Sequence, residues 1–366
     1  MRLKLAPALL TCLMTLLAAV PDVSRASGLV YHGEFSFFAA LETERDTDTA
    51  GRFQLRYLPL LEGVWSGDNG PGLRAELAGM IRGGLASSGD TAAEVKLDLY
   101  RCWLRLDRPR WELRVGLQKL NFGPARLLRV LRWFDTIDPN DPTGFSKGVT
   151  GLSLRGTPTP LSTLQGWLLL DDSGTQPRAS RDGSFSGGGR LQLPLGRGEV
   201  AVTTHTRLVQ AGGRENRLAL DGNWDLGIGI WFEAMLQHQD DPAELSWVQL
   251  ITLGMDYTFN WGNGLLLLGE SSAVSSGESF PAGGAVSHVN AVMASYPLTL
   301  FDNLTLLWLR GDANIALITL DWGHLTDYWN LHLQGFWSDS EPAAAASSWS
   351  GAYPQKGIRL TAIYNH

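Results

Sequence analysis

The sequence predicts an all-β fold, a closed antiparallel transmembrane β-barrel of about 18 strands, on three observations. Apolar residues recur with period two, which puts alternate side chains on opposite faces of a strand. Clusters of Gly, Pro, Asp, Asn and Ser separate these segments, and the separators alternate between tight and long. No interdomain linker interrupts the pattern. A soluble sandwich of this length would normally divide into domains, each with its apolar face in a core. A barrel in lipid turns that face outward and leaves no strand edge unpaired.

Strands are expected near 28–42, 52–65, 73–85, 93–107, 111–122, 148–157, 162–172, 189–195, 199–209, 217–226, 228–238, 247–259, 264–273, 288–297, 304–312, 314–322, 328–338 and 357–365. The segment 52–57 is typical, with Phe53, Leu55 and Tyr57 on one face and Arg52, Gln54 and Arg56 on the other. Tight connections follow the even-numbered strands, as at 107–110, 157–160 and 260–264, and most long ones follow the odd-numbered strands, as at 123–147, 173–188 and 339–356. That parity belongs to an outer-membrane barrel with both termini in the periplasm. The short connection 312–314 falls where a long loop is due, so a count of sixteen stays open. Trp65, Trp111, Trp224, Trp247, Trp261, Trp308, Trp322, Trp329 and Trp337 lie near strand ends, the depth at which amphipathic rings meet headgroups.

Composition narrows the function. With 44% hydrophobic and 18% charged residues among 366, the chain has ample apolar surface to bury and is not disordered. A formal charge of −7 argues against a general nucleic-acid binder. Beyond residue 26 no apolar run reaches the roughly 18 residues of a spanning helix. Residues 1–26 read as a secretory signal: Arg2 and Lys4, an apolar stretch from Leu5 to Val20, then Ser24 and Ala26 at the small positions before cleavage. Of the two cysteines only Cys102 then remains, so no intramolecular disulfide staples the barrel, 27–366.

A barrel this wide cannot be filled by wall side chains alone, so a water-filled passage or a loop plug is expected. Residues 52–155 carry 16 bases and 11 acids, whereas 156–366 carry 10 bases and 20 acids. Strand parity puts Arg52, Arg56, Arg74, Arg82, Arg114 and Arg155 on the polar face, among Glu76, Glu94, Lys96, Asp98 and Glu112. Arg101 and Arg105 join them only if a bulge near Tyr100 shifts the register. Two uses of these charges are open: mutually compensating wall charges that keep the lumen wet, or an arginine ladder that lowers the barrier for an anion.

The longest loop, 123–147, is expected either to fold inward or to cap the barrel from outside. Leu127, Leu128, Leu131 and Phe134 fall at helical spacing, with Arg126, Arg129 and Arg132 along one side, so a short amphipathic helix is predicted after Pro124. Arg114, Arg126, Arg129 and Arg132 are the expected constriction. Asp135, Asp138 and Asp141 have a spacing open to Ca²⁺, but Asp before Pro explains two of them as turn residues, and no metal or cofactor is expected.

Val115, Gly116, Leu117 and Gln118, then Phe122 and Gly123, then Phe134, Asp135 and 138–142 resemble the Gly-x-Gln … Gly … Asp … Pro segment of Gram-negative outer-membrane channels, porin-like and alginate-export-like. The resemblance implies a strand followed by an inward loop, a cell outer-membrane location, and, for the porin type, a homotrimer. Catalysis is not expected. The histidines are scattered, and His205 and Ser153 are the only weak candidates on inward faces. The expected function is passive passage of small polar or anionic solutes. A barrel sleeve around a lipoprotein, a polymer-export component or a redox cytochrome is the alternative.

Overall fold

The computed structural model describes residues 26–43, 49–65, 72–86, 94–134, 136–137, 146–171, 183–209, 213–240, 247–281, 283–312, 315–339 and 356–366. Most of the predicted signal, and Asp135, Asp138 and Asp141 of the Ca²⁺ reading, lie outside the described residues.

Alternation becomes strand wherever it was read among the described residues. The strands are β1 Ala26–Thr43, β2 Thr49–Trp65, β3 Gly72–Ala86, β4 Glu94–Arg108, β5 Trp111–Gln118, β6 Thr136–Ile137, β7 Ser146–Lys147, β8 Val149–Gly156, β9 Thr163–Leu170 and β10 Phe185–Leu195. They continue as β11 Gly198–Leu208, β12 Arg214–Asp225, β13 Gly229–Gln239, β14 Trp247–Phe259, β15 Leu265–Gly277, β16 Ser287–Pro297, β17 Asp302–Gly311, β18 Ile315–Leu325, β19 Trp329–Ser338 and β20 Lys356–Asn365. β6 and β7 form a separate two-stranded pair, and the other strands make one 18-stranded sheet. Each of these pairs antiparallel with its neighbours in sequence, β5 with β8, and β20 with β1, so the sheet is closed. Sixteen is excluded: β17 and β18 are distinct strands despite the short connection between them.

The C-terminus extends the closing seam. Gly33 and His366 exchange both backbone hydrogen bonds at 2.9 Å, and the His366 ring stacks on Tyr57. The two residues after Tyr364 thus continue the pairing with β1.

Closure sets the two faces. Leu97, Leu99, Leu218, Leu253 and Ile358 stand exposed at 52–61% on the outside, an arrangement stable in hydrocarbon rather than water. All nine tryptophans singled out above are at strand ends or in a turn, and by register the eight on strands point outward. Trp65, Trp111, Trp224, Trp322 and Trp329 sit at the short-turn end, and Trp247, Trp308 and Trp337 at the other. Such a ring at each rim matches the two interfaces of a bilayer. The start of β1 and the end of β20 both lie at the short-turn end.

The bulge on which the inward placement of Arg101 and Arg105 depends is present. β3 pairs Ala78 with Arg101 and then Gly79 with Leu99, so Tyr100 is the extra residue of a bulge and the alternation of β4 slips by one. Arg101, Trp103 and Arg105 therefore share the inner face with Lys96 and Asp98.

Candidate functional site

The lumen is occupied by residues 120–134, which descend from the end of β5. They are not helical, as the apolar spacing suggested, but follow a series of bends. The reason is where their backbone donors go. Glu233 on β13 accepts the N–H groups of Ala125 (2.9 Å), Val130 (2.7 Å) and Leu131 (3.0 Å). Glu270 on β15 accepts those of Arg126 (2.7 Å), Leu127 (2.9 Å) and Leu128. A helix would give most of these donors to carbonyls four residues back, whereas here two carboxylates take them. A hydrogen bond to a charged acceptor contributes about 1.5–3 kcal/mol, so the clamp outweighs the modest helix preference of the segment.

Packing finishes the attachment. Leu120, Phe122, Val130, Leu131, Trp133 and Phe134 form one cluster with Val149, Trp167, Leu169, Ala219 and Met235 of the inner wall. Ala125 packs on Trp231 and Leu268, and Leu128 on Val289 and Ala291, with Leu127, Met293 and Leu309 alongside. Burying Leu128 and Leu131, each 1% exposed, contributes roughly 1.5–3 kcal/mol apiece. The Thr252 hydroxyl donates to the Leu128 carbonyl at 2.9 Å, and the Trp231 indole to Glu270 at 3.0 Å. These contacts run along β8 to β17.

Two glycines of the resemblance segment are required. Gly123 has φ +84°, and a Cβ there would overlap the Glu233 carboxylate; Gly116 has φ +122°, and a Cβ would overlap the Cys102 carbonyl.

The wall from β1 to β5 carries charge on its inner face beside a few buried apolar groups, Phe38, Leu58 and Met80. Arg56, buried on β2, donates to Glu34 at 2.8 Å and Ser36 at 2.7 Å. Arg82 donates to Asp98 at 2.7 Å. Arg74 lies 3.3 Å and Arg105 3.0 Å from Asp107, and Glu112 sits 3.8 Å from Arg105 and 3.9 Å from Arg114. Arg114 also stacks over Trp103 at 4.7 Å. Glu76 is directly across from Glu62 on β2. Of the expected set, Arg74 and Arg114 with Glu112 are thus drawn into one network with Arg105 and Asp107, which the alternation alone did not link.

The loop arginines do not form a single stripe, because the helix that would align them is absent. Arg126 reaches Asp256 on β14 at 2.7 Å and lies over Trp231. Arg129 donates to Asn121 and to the Phe122 carbonyl. Arg132 is half-buried. Arg155, on β8 near the short-turn end, is exposed to the lumen and has no hydrogen bond or ion pair among the described residues.

The weak catalytic candidates have structural surroundings. His205 accepts from the Trp167 indole at 3.2 Å among Trp133, Phe134 and Trp167, and Ser153 donates to Gln118 at 2.8 Å. No group of three or more metal-ligating side chains occurs among the described residues. Sequence reasoning missed Glu233, Glu270 and Thr252, and the paired Arg190 with Asp221 and Arg207 with Glu215.

No family model matches the chain, and no curated protein matches it in sequence. Solved structures do match. The Acinetobacter baumannii channel OccAB1 superposes with a TM-score of 0.64 at 8% identity, over 94% of this chain and 99% of that one. Pseudomonas aeruginosa OccK5 gives 0.62 at 12% over 93% and 98%, and OprD from the same organism 0.60 at 11% over 95% and 98%. All three are outer-membrane porins of the Occ and OprD group. At this identity the likeness is one of fold: this chain has the 18-stranded barrel of those proteins.

Proposed function

We propose that the chain is a channel in the outer membrane of a Gram-negative cell and passes small polar or anionic solutes passively along the charged side of its lumen. The observation that carries this is the uneven filling of the barrel. Residues 120–134 pack on the side from β8 to β17, while the inner face of β2 to β5 carries a network of ionised side chains that this packing does not cover. The loop narrows the passage, and the network around Arg74, Arg105 and Arg114, with Arg126, Arg129 and Arg132 on the loop, supplies positive charge beside it. The barrel shared with Occ and OprD porins supports the same reading, and of the two channel types that the Gly116 to Pro142 segment resembles, we build on the porin type.

A sleeve around a protein partner needs an open bore, and the side chains of 120–134 take that space. Planar-bilayer recording of the purified barrel separates the two readings. Ion conductance with anion preference supports the channel; a silent barrel that copurifies with a stoichiometric protein supports the sleeve.

A further inference from the structure

On the outside of the wall from β11 to β15, toward the long-loop end, lies a groove of about 710 Å³ that the lumen packing does not use. Register explains its shape. Leu218, Leu236, Gln249 and Ser275 form one lateral row of outward side chains, and Leu220, Ala234, Ile251 and Ala273 form the next. The two alanines leave the floor low. Phe280 and Val286 of the connection after β15 stand beside it, Phe280 against the Trp247 ring at 5.2 Å. Gln249 and Ser275 interrupt an otherwise apolar surface. Gln249 lies two residues from Trp247, about 7 Å along the strand, and so on the hydrocarbon side of the aromatic rim. Its side-chain nitrogen is buried and has no hydrogen-bond partner among the described residues.

An unmade hydrogen bond in hydrocarbon is costly, because no water is there to replace the partner. An occupant that relieves it must be slender and apolar, to lie between the leucines on the alanine floor, and must carry a polar group just below headgroup level. An acyl chain meets the first condition. The short-turn end is periplasmic, so this end of the wall faces the outer leaflet. A plain ester-linked chain has no polar group beyond its carbonyl, whereas a 3-hydroxyacyl chain carries a hydroxyl two carbons deeper, where Gln249 and Ser275 sit. We propose that the groove holds a 3-hydroxyacyl chain of the outer-leaflet glycolipid, its hydroxyl accepting from the Gln249 amide and its tail running over Ala234 and Ala273. The charges beyond the Trp247 row, Arg214, Asp240 and Glu278, are of both signs, so the chain rather than the headgroup carries recognition. A site built to hydrogen-bond a hydroxyl discriminates strongly against an analogue that lacks it. Whether the lumen conducts has no bearing on this site.

Native mass spectrometry of the full chain released from detergent micelles tests this with two lipids of equal chain length: lipid A bearing 3-hydroxytetradecanoyl chains, and dimyristoylphosphatidylglycerol, which is also anionic but has no hydroxyl on its chains. One lipid A per chain is expected, retained about tenfold or more above the phospholipid. Gln249→Leu should bring lipid A down to the phospholipid level, and Ala234→Leu, which fills the floor, should reduce retention of both. Both side chains face away from the lumen, so neither replacement touches the loop packing, and an unchanged far-ultraviolet circular dichroism spectrum checks the barrel. Equal retention of the two lipids by the intact chain, wild-type retention of lipid A by Gln249→Leu or Ala234→Leu, or no bound lipid would overturn the assignment. A dimer that Ala234→Leu splits would give the face to a second copy and overturn it as well.

Discussion

The wall from β13 to β17 and the wall from β1 to β5 are built from the same alternating strands and pair in the same way, yet their inner faces do opposite things. On β15 to β17 the inward positions include Leu268, Ala291, Met293, Leu307 and Leu309, and the loop packs against this face. On β2 to β5 they include Arg74, Arg82, Arg105 and Arg114, paired with Asp98, Asp107 and Glu112, together with Glu62 and the buried Arg56. An apolar inner face makes one side of a membrane barrel behave as a packed core, and a charged one makes the other a hydrated conduit.

The strongest way to break this contrast is to release the loop. Changing Glu233 and Glu270 together to Ala removes the acceptors for six backbone donors, and single-channel conductance is expected to rise by about twofold or more as the loop leaves the wall. Hydrogen exchange at residues 125–131 should accelerate in the same variant. Unchanged protection there would mean that packing alone holds the segment. Gly123→Ala should act in the same direction with a smaller gain, because the new methyl pushes on Glu233 while Glu270 keeps its three donors.

Charge on the opposite wall is the next test. Arg105→Gln leaves Asp107 and Glu112 without their shared partner, so the reversal potential in a salt gradient should move toward cation preference. The triple replacement of Arg126, Arg129 and Arg132 by Ala should shift it the same way by less. Arg126 is half exposed beside Asp256, and an exposed ion pair is worth only about 0–1 kcal/mol. An unchanged reversal potential in the triple variant would remove the loop charges from selectivity.

Much of this contrast was legible in the sequence, for a physical reason: strand parity is strict, so alternation places Arg74, Arg82, Glu112 and Arg114 on the face where the register puts them. The bulge at Tyr100 was only a condition in the sequence, the one under which Arg101 and Arg105 avoid lipid, and the register supplies it. The docking wall carried a signal too. Leu304, Leu306, Leu307, Trp308 and Leu309 are apolar on both faces, the mark of a strand buried on both sides. The loop conformation was not legible, because its donors are satisfied by Glu233 and Glu270, more than a hundred residues away in the chain. Local spacing reports only what neighbouring residues offer, and here the decisive acceptors are distant.

The most direct measurement is single-channel conductance of a variant whose residues 123–147 are replaced by a short Gly-Ser turn. If the segment sits against the inner wall of β8 to β17, the open-state current increases several-fold over that of the intact chain. A current equal to that of the intact chain would place the segment outside the bore and contradict the account.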